Sequence, residues 1–162
     1  MKTIGFSGGG LITELGSIED VQMFFDLINY YEVKKYPNKN WPIIMDRLYK
    51  RYIKSDELDM SVELMECVKN EFKNIKSTPK HNKENFDYSK NTLFDIFENY
   101  FKNFSQCAEM TKLSFEEFKN IPDYKYEPIK IVITDQPWYL FETTRKLEDY
   151  DNLNGTPFWK LL

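Results

Sequence analysis

The feature that most constrains this chain is an aromatic segment at residues 92–104, whose apolar side chains occupy more than one face of a helix. These side chains are Leu93, Phe94, Ile96, Phe97, Tyr100, Phe101 and Phe104. A surface helix keeps one polar side, whereas a helix that is apolar on several sides must be surrounded by the rest of the domain. The segment therefore predicts a helix at the centre of the fold, with Phe97 and Phe101 nearly fully buried.

The length and the aromatic content together indicate one folded domain over residues 1–162. Of the 162 residues 41% are hydrophobic, and the chain carries 13 phenylalanines and 11 tyrosines. A chain of this length can fold around one core without a metal ion or a disulfide. Eleven tyrosines exceed what that core can bury with every hydroxyl group hydrogen-bonded, so some are expected at the surface, where tyrosine often anchors protein interfaces.

The charge balance argues against nucleic acid as a ligand. Lysine and arginine total 22 against 26 acidic residues, which gives a formal net charge of −4. Nucleic-acid binders carry a basic excess, because neutralising phosphate groups supplies most of their affinity. A mildly acidic chain favours a basic partner instead.

The apolar runs and the cysteines indicate a cytoplasmic protein. No window approaches 18 uncharged apolar residues, so no membrane span is expected, and no long apolar run follows the first residues. Cys67 and Cys107 both lie in apolar, helix-like segments. They are interpreted as reduced core thiols without a function, and no disulfide bond is expected.

Two segments have the composition of β-strands. Residues 3–15 predict a hairpin whose turn contains Ser7-Gly8-Gly9-Gly10, because glycine tolerates the positive φ of a tight turn. A phosphate-binding loop is the alternative for this glycine run, but such a loop opens a helix, and here Leu11-Ile12 follows. Residues 129–134 are rich in β-branched side chains and predict a later strand.

The other periodic segments predict five to six helices, so the expected fold class is α+β: a mostly helical single domain with an N-terminal hairpin and a later strand. Capping residues or prolines place the helix starts near Ser17, Asn40, Ser55 or Asp56, Thr92, Ser114 and Asp135. Residues 77–91 predict a solvated loop. The aromatic tail at residues 154–159 is expected to pack back on the domain.

The third of these helices combines a strong helical periodicity with an acidic face. Its apolar stripe is expected to consist of Leu58, Val62, Met65, Phe72 and Ile75. The acidic residues that lie away from this stripe are Asp56, Glu57, Asp59, Glu63 and Glu66. A run of charge is most often a solvated face. If the helix instead binds a partner, these five residues are the candidate binding residues, and the partner is basic.

The side chains that catalysis needs are scarce. The single histidine, His81, lies in a polar loop that does not orient it against a nucleophile. Two cysteines and one histidine do not match the ligand spacing of a zinc site. The carboxylate pairs Glu116-Glu117 and Glu148-Asp149 consist of helix neighbours, which point in different directions. No catalytic, metal or cofactor residues are therefore predicted.

Residues 10–75 contain a series of packing motifs in a definite order. The motifs are Gly16-Ser17, Phe24-Phe25, Pro42-Ile43-Ile44-Met45 and Leu48-Tyr49, followed by the long helix from Asp56. In this order they resemble a family of immunity proteins from bacterial polymorphic-toxin and contact-dependent growth inhibition systems.

The resemblance implies a partner and a mode of action. It implies a non-enzymatic inhibitor in the cytoplasm, one copy of which binds the C-terminal domain of a cognate toxin. Many such toxins are basic nucleases, which suits the acidic charge balance. No cofactor, metal ion, nucleic acid or membrane is implied as a partner. Two other functions stay open: a small hydrolase that works with two carboxylates across a cleft, and a non-enzymatic adaptor or structural subunit.

Overall fold

The structure is a computed structural model that describes residues 3–77, 91–135, 147–151 and 155–160. In these residues a four-stranded antiparallel sheet packs against α-helices, which confirms the predicted α+β class. Most of the predicted loop at residues 77–91 lies outside the described residues. The same holds for most of the segment from Asp135 to Leu147.

The sheet is built around its first strand. The strands are β1 (Thr3–Gly8), β2 (Leu11–Ile12), β3 (Gly16–Ser17) and β4 (Lys130–Ile133). Strands β2 and β3 pair with the two ends of one edge of β1, and β4 pairs antiparallel with the other edge. In this pairing Ile4 lies opposite Ile133 and Ser7 opposite Lys130. The predicted later strand is confirmed, and its partner is the N-terminal hairpin.

A two-residue glycine turn closes this hairpin. Gly9 and Gly10 connect the paired residues Gly8 and Leu11, with φ angles of 56° and 85°. Two successive positive φ angles give a turn whose twist matches that of the strands, and glycine adopts them without steric cost. The hairpin prediction is confirmed. Because a strand follows the glycines, they do not have the geometry of a phosphate-binding loop.

Four α-helices lie in the described residues, where the sequence predicts five to six helices. They are α1 (Ile18–Ile28), α2 (Leu58–Phe72), α3 (Leu93–Phe118) and α4 (Leu147–Asp151). Helix α1 begins as predicted, since the Ser17 hydroxyl accepts a hydrogen bond from the Asp20 amide at 3.2 Å. The chain continues beyond α1 as a π-helical segment, Asn29–Val33. The predicted second helix is also built on a π-helical segment, Ile43–Leu48.

The prediction of a separate short helix from Ser114 is wrong. Ser114 lies inside α3, in the part of the helix that continues from the kink at Phe97 to Phe118. The residues before Ser114 are already helical, so its capping pattern does not begin a new helix. The second half of α3 lies on β1: the Phe6 and Phe104 ring centroids are 5.8 Å apart, and the Cys107 thiol lies 3.7 Å from the Phe6 carbonyl oxygen.

Helix α3 is the central helix, as its sequence predicts. Phe97 is 1% exposed and Phe101 is 5% exposed, which confirms both expectations. The helix changes direction at Phe97, whose φ of −109° and ψ of 17° are not helical. This change leaves the Phe97 ring 5.1 Å from the ring of Phe24, a fully buried residue of α1.

The C-terminal residues pack on the body of the protein, as expected for the aromatic tail. Trp159 is 1% exposed, and its indole nitrogen donates a hydrogen bond to the Tyr49 carbonyl oxygen at 3.2 Å. Tyr150 of α4 is also buried, and its hydroxyl donates to the Ile131 carbonyl oxygen at 3.4 Å. The first contact holds the tail beside Tyr49, and the second holds α4 against β4.

Candidate functional site

The outer face of α2 and its preceding turn carries most of the predicted acidic surface. Asp56, Asp59, Glu63 and Glu66 are all exposed. The apolar stripe under them differs from the prediction at two positions. Val62 is 42% exposed, with Leu64 and Val68 buried instead, and Ile75 is only half-buried and lies beyond the last residue of α2. The stripe is therefore rotated on the helix, and an apolar side chain lies among the acids.

Glu57 has a structural role that the sequence analysis did not assign. One of its carboxylate oxygens accepts the Lys54 amide at 3.0 Å, and the other lies 3.3 Å from Nε of Arg47. Glu57 is half-buried and holds the start of α2 against the segment Ile43–Leu48. Its carboxylate is therefore engaged by two groups of the protein at a half-buried position.

The four exposed acids are only weakly neutralised. Asp59 lies 3.3 Å from Lys112, and Glu66 lies 2.8 Å from Lys69. Both pairs lie at the surface, and surface ion pairs contribute only about 0–1 kcal/mol of stability. Glu63 has no hydrogen bond or ion pair to any described residue. These side chains therefore keep a negative field on this side of α2.

Apolar side chains and an open cleft accompany this charge. Met60 is 41% exposed beside Val62, and both line a cleft of about 840 Å³ between α2 and the chain at residues 38–40. Glu63 and Glu66 line the same cleft. A second groove, of about 550 Å³, lies between α2 and α3 and is also lined by Val62 and Glu63. Acidic and apolar groups thus alternate across one continuous surface, which we call the α2 surface.

A buried carboxylate lies next to this surface. Glu32 belongs to the π-helical segment Asn29–Val33 and is 0% exposed. Neither of its carboxylate oxygens has a hydrogen-bond partner among the described residues. Burial, and secondarily the negative charge of Glu71, raises the pKa of Glu32 to about 7, although Lys35 and Lys39 partly oppose this. An unpaired buried carboxyl group with such a pKa is a common mark of a functional site.

Glu32 faces a small pocket of about 290 Å³ between the π-helical segment and α2. Lys39 and Cys67 line both this pocket and the larger cleft, so the two spaces adjoin. The nearby charges are already paired with other groups. Lys35 and Glu71 form an ion pair at 2.5 Å, and Nζ of Lys39 donates to Sγ of Cys67 at 3.0 Å.

Glu32 was not among the residues predicted from the sequence, although its spacing carries a signal. Val21, Phe25 and Ile28 form the buried stripe of α1, and Glu32 follows Ile28 at the next position of that stripe. A carboxylate on a buried stripe is rare, because ionised groups are costly to desolvate.

The two cysteines have different surroundings. Cys107 is fully buried, and burial raises the pKa of its thiol to about 11, which keeps the thiol protonated. Cys67 is only half-buried, so its assignment to the core is wrong: it lies at the edge of α2 beside the exposed Lys39. Both thiols are free.

The other residues considered for chemistry lie apart from one another. Glu116 and Glu117 are exposed at the end of α3, and Glu148 is exposed on α4. His81 lies outside the described residues. Within the described part of the chain, no three histidine, cysteine or acidic side chains are placed to bind one metal ion. None of the helices described there is both long and apolar enough to cross a membrane.

No family model, curated protein or solved structure matches this chain.

The titration of Glu32 predicts how stability depends on pH. Between its ordinary pKa of 4.5 and the folded value of about 7, the folded protein keeps a proton that the unfolded chain has lost. The free energy of unfolding should therefore fall as the pH rises through this range. The total loss should be roughly 3 kcal/mol, which is the free-energy equivalent of the difference between the two pKa values. Glu32→Gln cannot ionise, so this variant should lose the dependence and should be the more stable protein at about pH 8.

Urea unfolding at about pH 5 and about pH 8 measures this effect. Glu14→Gln, at an exposed position, is the matched control and should follow the wild-type protein at both pH values. Equal loss of stability in the wild-type and Glu32→Gln proteins between the two pH values would show that Glu32 is not the titrating group.

Proposed function

We infer that this protein is an immunity protein: a non-enzymatic inhibitor that binds the C-terminal domain of one cognate bacterial toxin in the cytoplasm, as a single copy. The observation that carries the inference is the α2 surface, where exposed acids surround exposed Met60 and Val62 beside an open cleft. Apolar groups supply affinity at a protein interface, and complementary charge supplies orientation and association rate. The motifs at residues 10–75 support the same reading.

The charge of the α2 surface favours a basic toxin, such as a nuclease. Asp56, Asp59, Glu63 and Glu66 are exposed on one side of the helix, in a chain with a formal net charge of −4. Acids arranged in this way accelerate the approach of a basic protein, and salt screens that attraction.

A hydrolase that uses carboxylates is the other candidate with a specific observation behind it. The pKa of Glu32, raised to about 7, would suit a general acid or base. Such an enzyme needs a second available carboxylate, and Glu71, which is nearby, is already engaged by Lys35 and Tyr36. Inhibitor function therefore accounts for more of the observed surface than hydrolysis does.

The direct test is protection of a cell. Expression of this protein should rescue a cell that makes the toxin domain encoded immediately upstream of its gene, and should not rescue a cell that makes an unrelated toxin. An adaptor or an enzyme would give no such protection. Absence of any toxin-like protein among upstream genes and purified partners would overturn the inference.

Neutralising the α2 surface should slow binding of that toxin. The variant carries Asp56→Asn, Asp59→Asn, Glu63→Gln and Glu66→Gln, and keeps Glu57 because its carboxylate holds the fold. Removing four exposed charges should lower the association rate about tenfold at low ionic strength and flatten its dependence on salt. Stopped-flow association at several salt concentrations measures both.

The matched control removes the same number of acids elsewhere. Its exposed positions are Glu14, Glu116, Glu117 and Glu127. This control should keep most of the association rate and of the salt dependence, since none of its four residues lines either groove of the α2 surface. If both variants slow binding equally, only net charge matters, and the interface lies elsewhere.

A further inference from the structure

We propose that Glu32 is the acceptor for one arginine side chain of the protein partner, whose guanidinium group enters the pocket between the π-helical segment Asn29–Val33 and α2. This inference rests on the proposed function, because it names the group that a basic partner places beside the α2 surface. It assigns a binding role to a residue of the small pocket that adjoins the cleft lined by the acids of α2.

The geometry of the carboxylate selects the ligand. Glu32 is 0% exposed, and both its oxygens lack a partner among the described residues. A buried carboxylate is stable as an ion only when hydrogen-bond donors reach it. Guanidinium donates two parallel N–H bonds to two carboxylate oxygens, whereas an ammonium group acts as a point charge. Two free oxygens on one carboxylate therefore favour arginine over lysine.

The groups around Glu32 leave this position available. Tyr36 and Lys39, from the turn after its own segment, and Cys67 and Glu71, from α2, line the pocket. Lys35 lies close enough for its positive charge to act on Glu32. Lys35 is paired with Glu71, and Lys39 is hydrogen-bonded to Cys67. Tyr36 and Lys39 are exposed, so their side chains can move aside as a ligand enters.

The charges outside the pocket guide a cation toward it. The adjoining cleft carries Glu63 and Glu66 on its α2 wall. Lys39 and Cys67 line both this cleft and the Glu32 pocket. An arginine side chain attracted by Glu63 and Glu66 would therefore pass between these two residues to contact Glu32. Lys39 is the like charge on this route, so its removal should strengthen binding of a guanidinium group.

Binding of this kind must depend on pH. The free Glu32 carboxyl group has a pKa of about 7, and a guanidinium group binds only its ionised form. Occupation of the pocket should therefore lower the pKa of Glu32, and binding should strengthen as the pH rises from about 5 to about 7.

The test follows the carboxyl carbon of Glu32 by NMR during a pH titration of the whole protein, with methylguanidinium as the probe and methylammonium as the matched cation. Methylguanidinium, at concentrations that leave the protein folded, should lower the midpoint of Glu32 by about one pH unit, which is a tenfold preference for the ionised form. Methylammonium should lower the midpoint of Glu32 less than methylguanidinium does.

Two variants complete the test. Lys39→Met should enlarge the response of Glu32 to methylguanidinium. Glu32→Gln, which is nearly isosteric, should abolish the changes that this ion causes in the backbone signals of Cys67 and Glu71. An unchanged Glu32 midpoint, equal effects of the two cations, or a smaller response in Lys39→Met would overturn the proposal. Because the probe contains no protein, this outcome is independent of whether a toxin partner is found.

Discussion

Replacement of Gly5 by alanine is expected to destabilise the fold by about 3 kcal/mol, because there is no space for a β-carbon at this position. A β-carbon on Gly5 would overlap the Thr13 carbonyl oxygen and would lie 2.7 Å from the carbonyl carbon of the same residue. Both are backbone atoms, which cannot rotate away as a side chain can. Gly5 lies in the middle of β1, the strand that pairs with all the others, so any shift is passed to the whole sheet.

Thermal or urea unfolding of Gly5→Ala measures this cost. The comparison is Gly10→Ala, where a β-carbon would meet only the Glu127 side chain, at 4.0 Å, but where φ is 85°. That variant should lose about 1–2 kcal/mol through backbone strain alone. A Gly5 variant as stable as the Gly10 variant would mean that the chain around Thr13 can move away from β1.

Truncation of Phe24 to alanine is expected to cost about 3–5 kcal/mol, and we expect the upper part of this range. Phe24 is fully buried in α1, between rings from the two long helices. Its ring centroid lies 4.9 Å from that of Tyr100 and 6.0 Å from that of Phe72. The surrounding rings are held by both helices, so the cavity left by the phenyl group cannot collapse easily.

Phe118→Ala is the matched control for Phe24→Ala. The same atoms are removed from a ring that is 38% exposed at the end of α3, so the cost should stay below about 1 kcal/mol. Because Phe24 also supports Phe72 of α2, its loss should loosen the helix that carries the α2 surface. Equal stabilities of the two variants would contradict the assignment of Phe24 to the centre of the core.

Several elements were predictable because their signals are local. The Gly9-Gly10 turn, the Ser17 cap and the β-branched segment at residues 129–134 each require only the properties of a few neighbouring residues. The burial of Phe97 and Phe101 was predictable too, since a helix with aromatic rings on several sides has no other stable environment.

The interruptions of helical structure were not predictable in the same way. Ser114 has the sequence of a helix start, yet it lies in the interior of α3, which continues to Phe118. The π-helical segments Asn29–Val33 and Ile43–Leu48 show regular helical spacing in sequence. Capping patterns and helical periodicity depend on the residues of one segment. They contain no information on contacts with other segments, which can change the local structure.

In the candidate site too, the features that depend on helical periodicity were predictable, and those that depend on contacts between segments were not. Exposure of Asp56, Asp59, Glu63 and Glu66 follows from helical periodicity, and the structure agrees. The exposure of Val62 depends on how α2 is rotated against α3, which periodicity leaves uncertain by one residue position. The engagement of Glu57 with Arg47 depends on a contact between two segments.

By itself, the sequence determined the α+β class, the hairpin, the central aromatic helix and an acidic outer face on α2, because each follows from the chemistry of adjacent or periodically spaced residues. Only the tertiary structure decided that Glu32 is buried with no hydrogen-bond partner in the described part of the chain, and that Cys67 and Lys39 border its pocket. Desolvation and charge pairing act through space between segments far apart in the chain. They therefore appear only once α2 is packed against the end of α1.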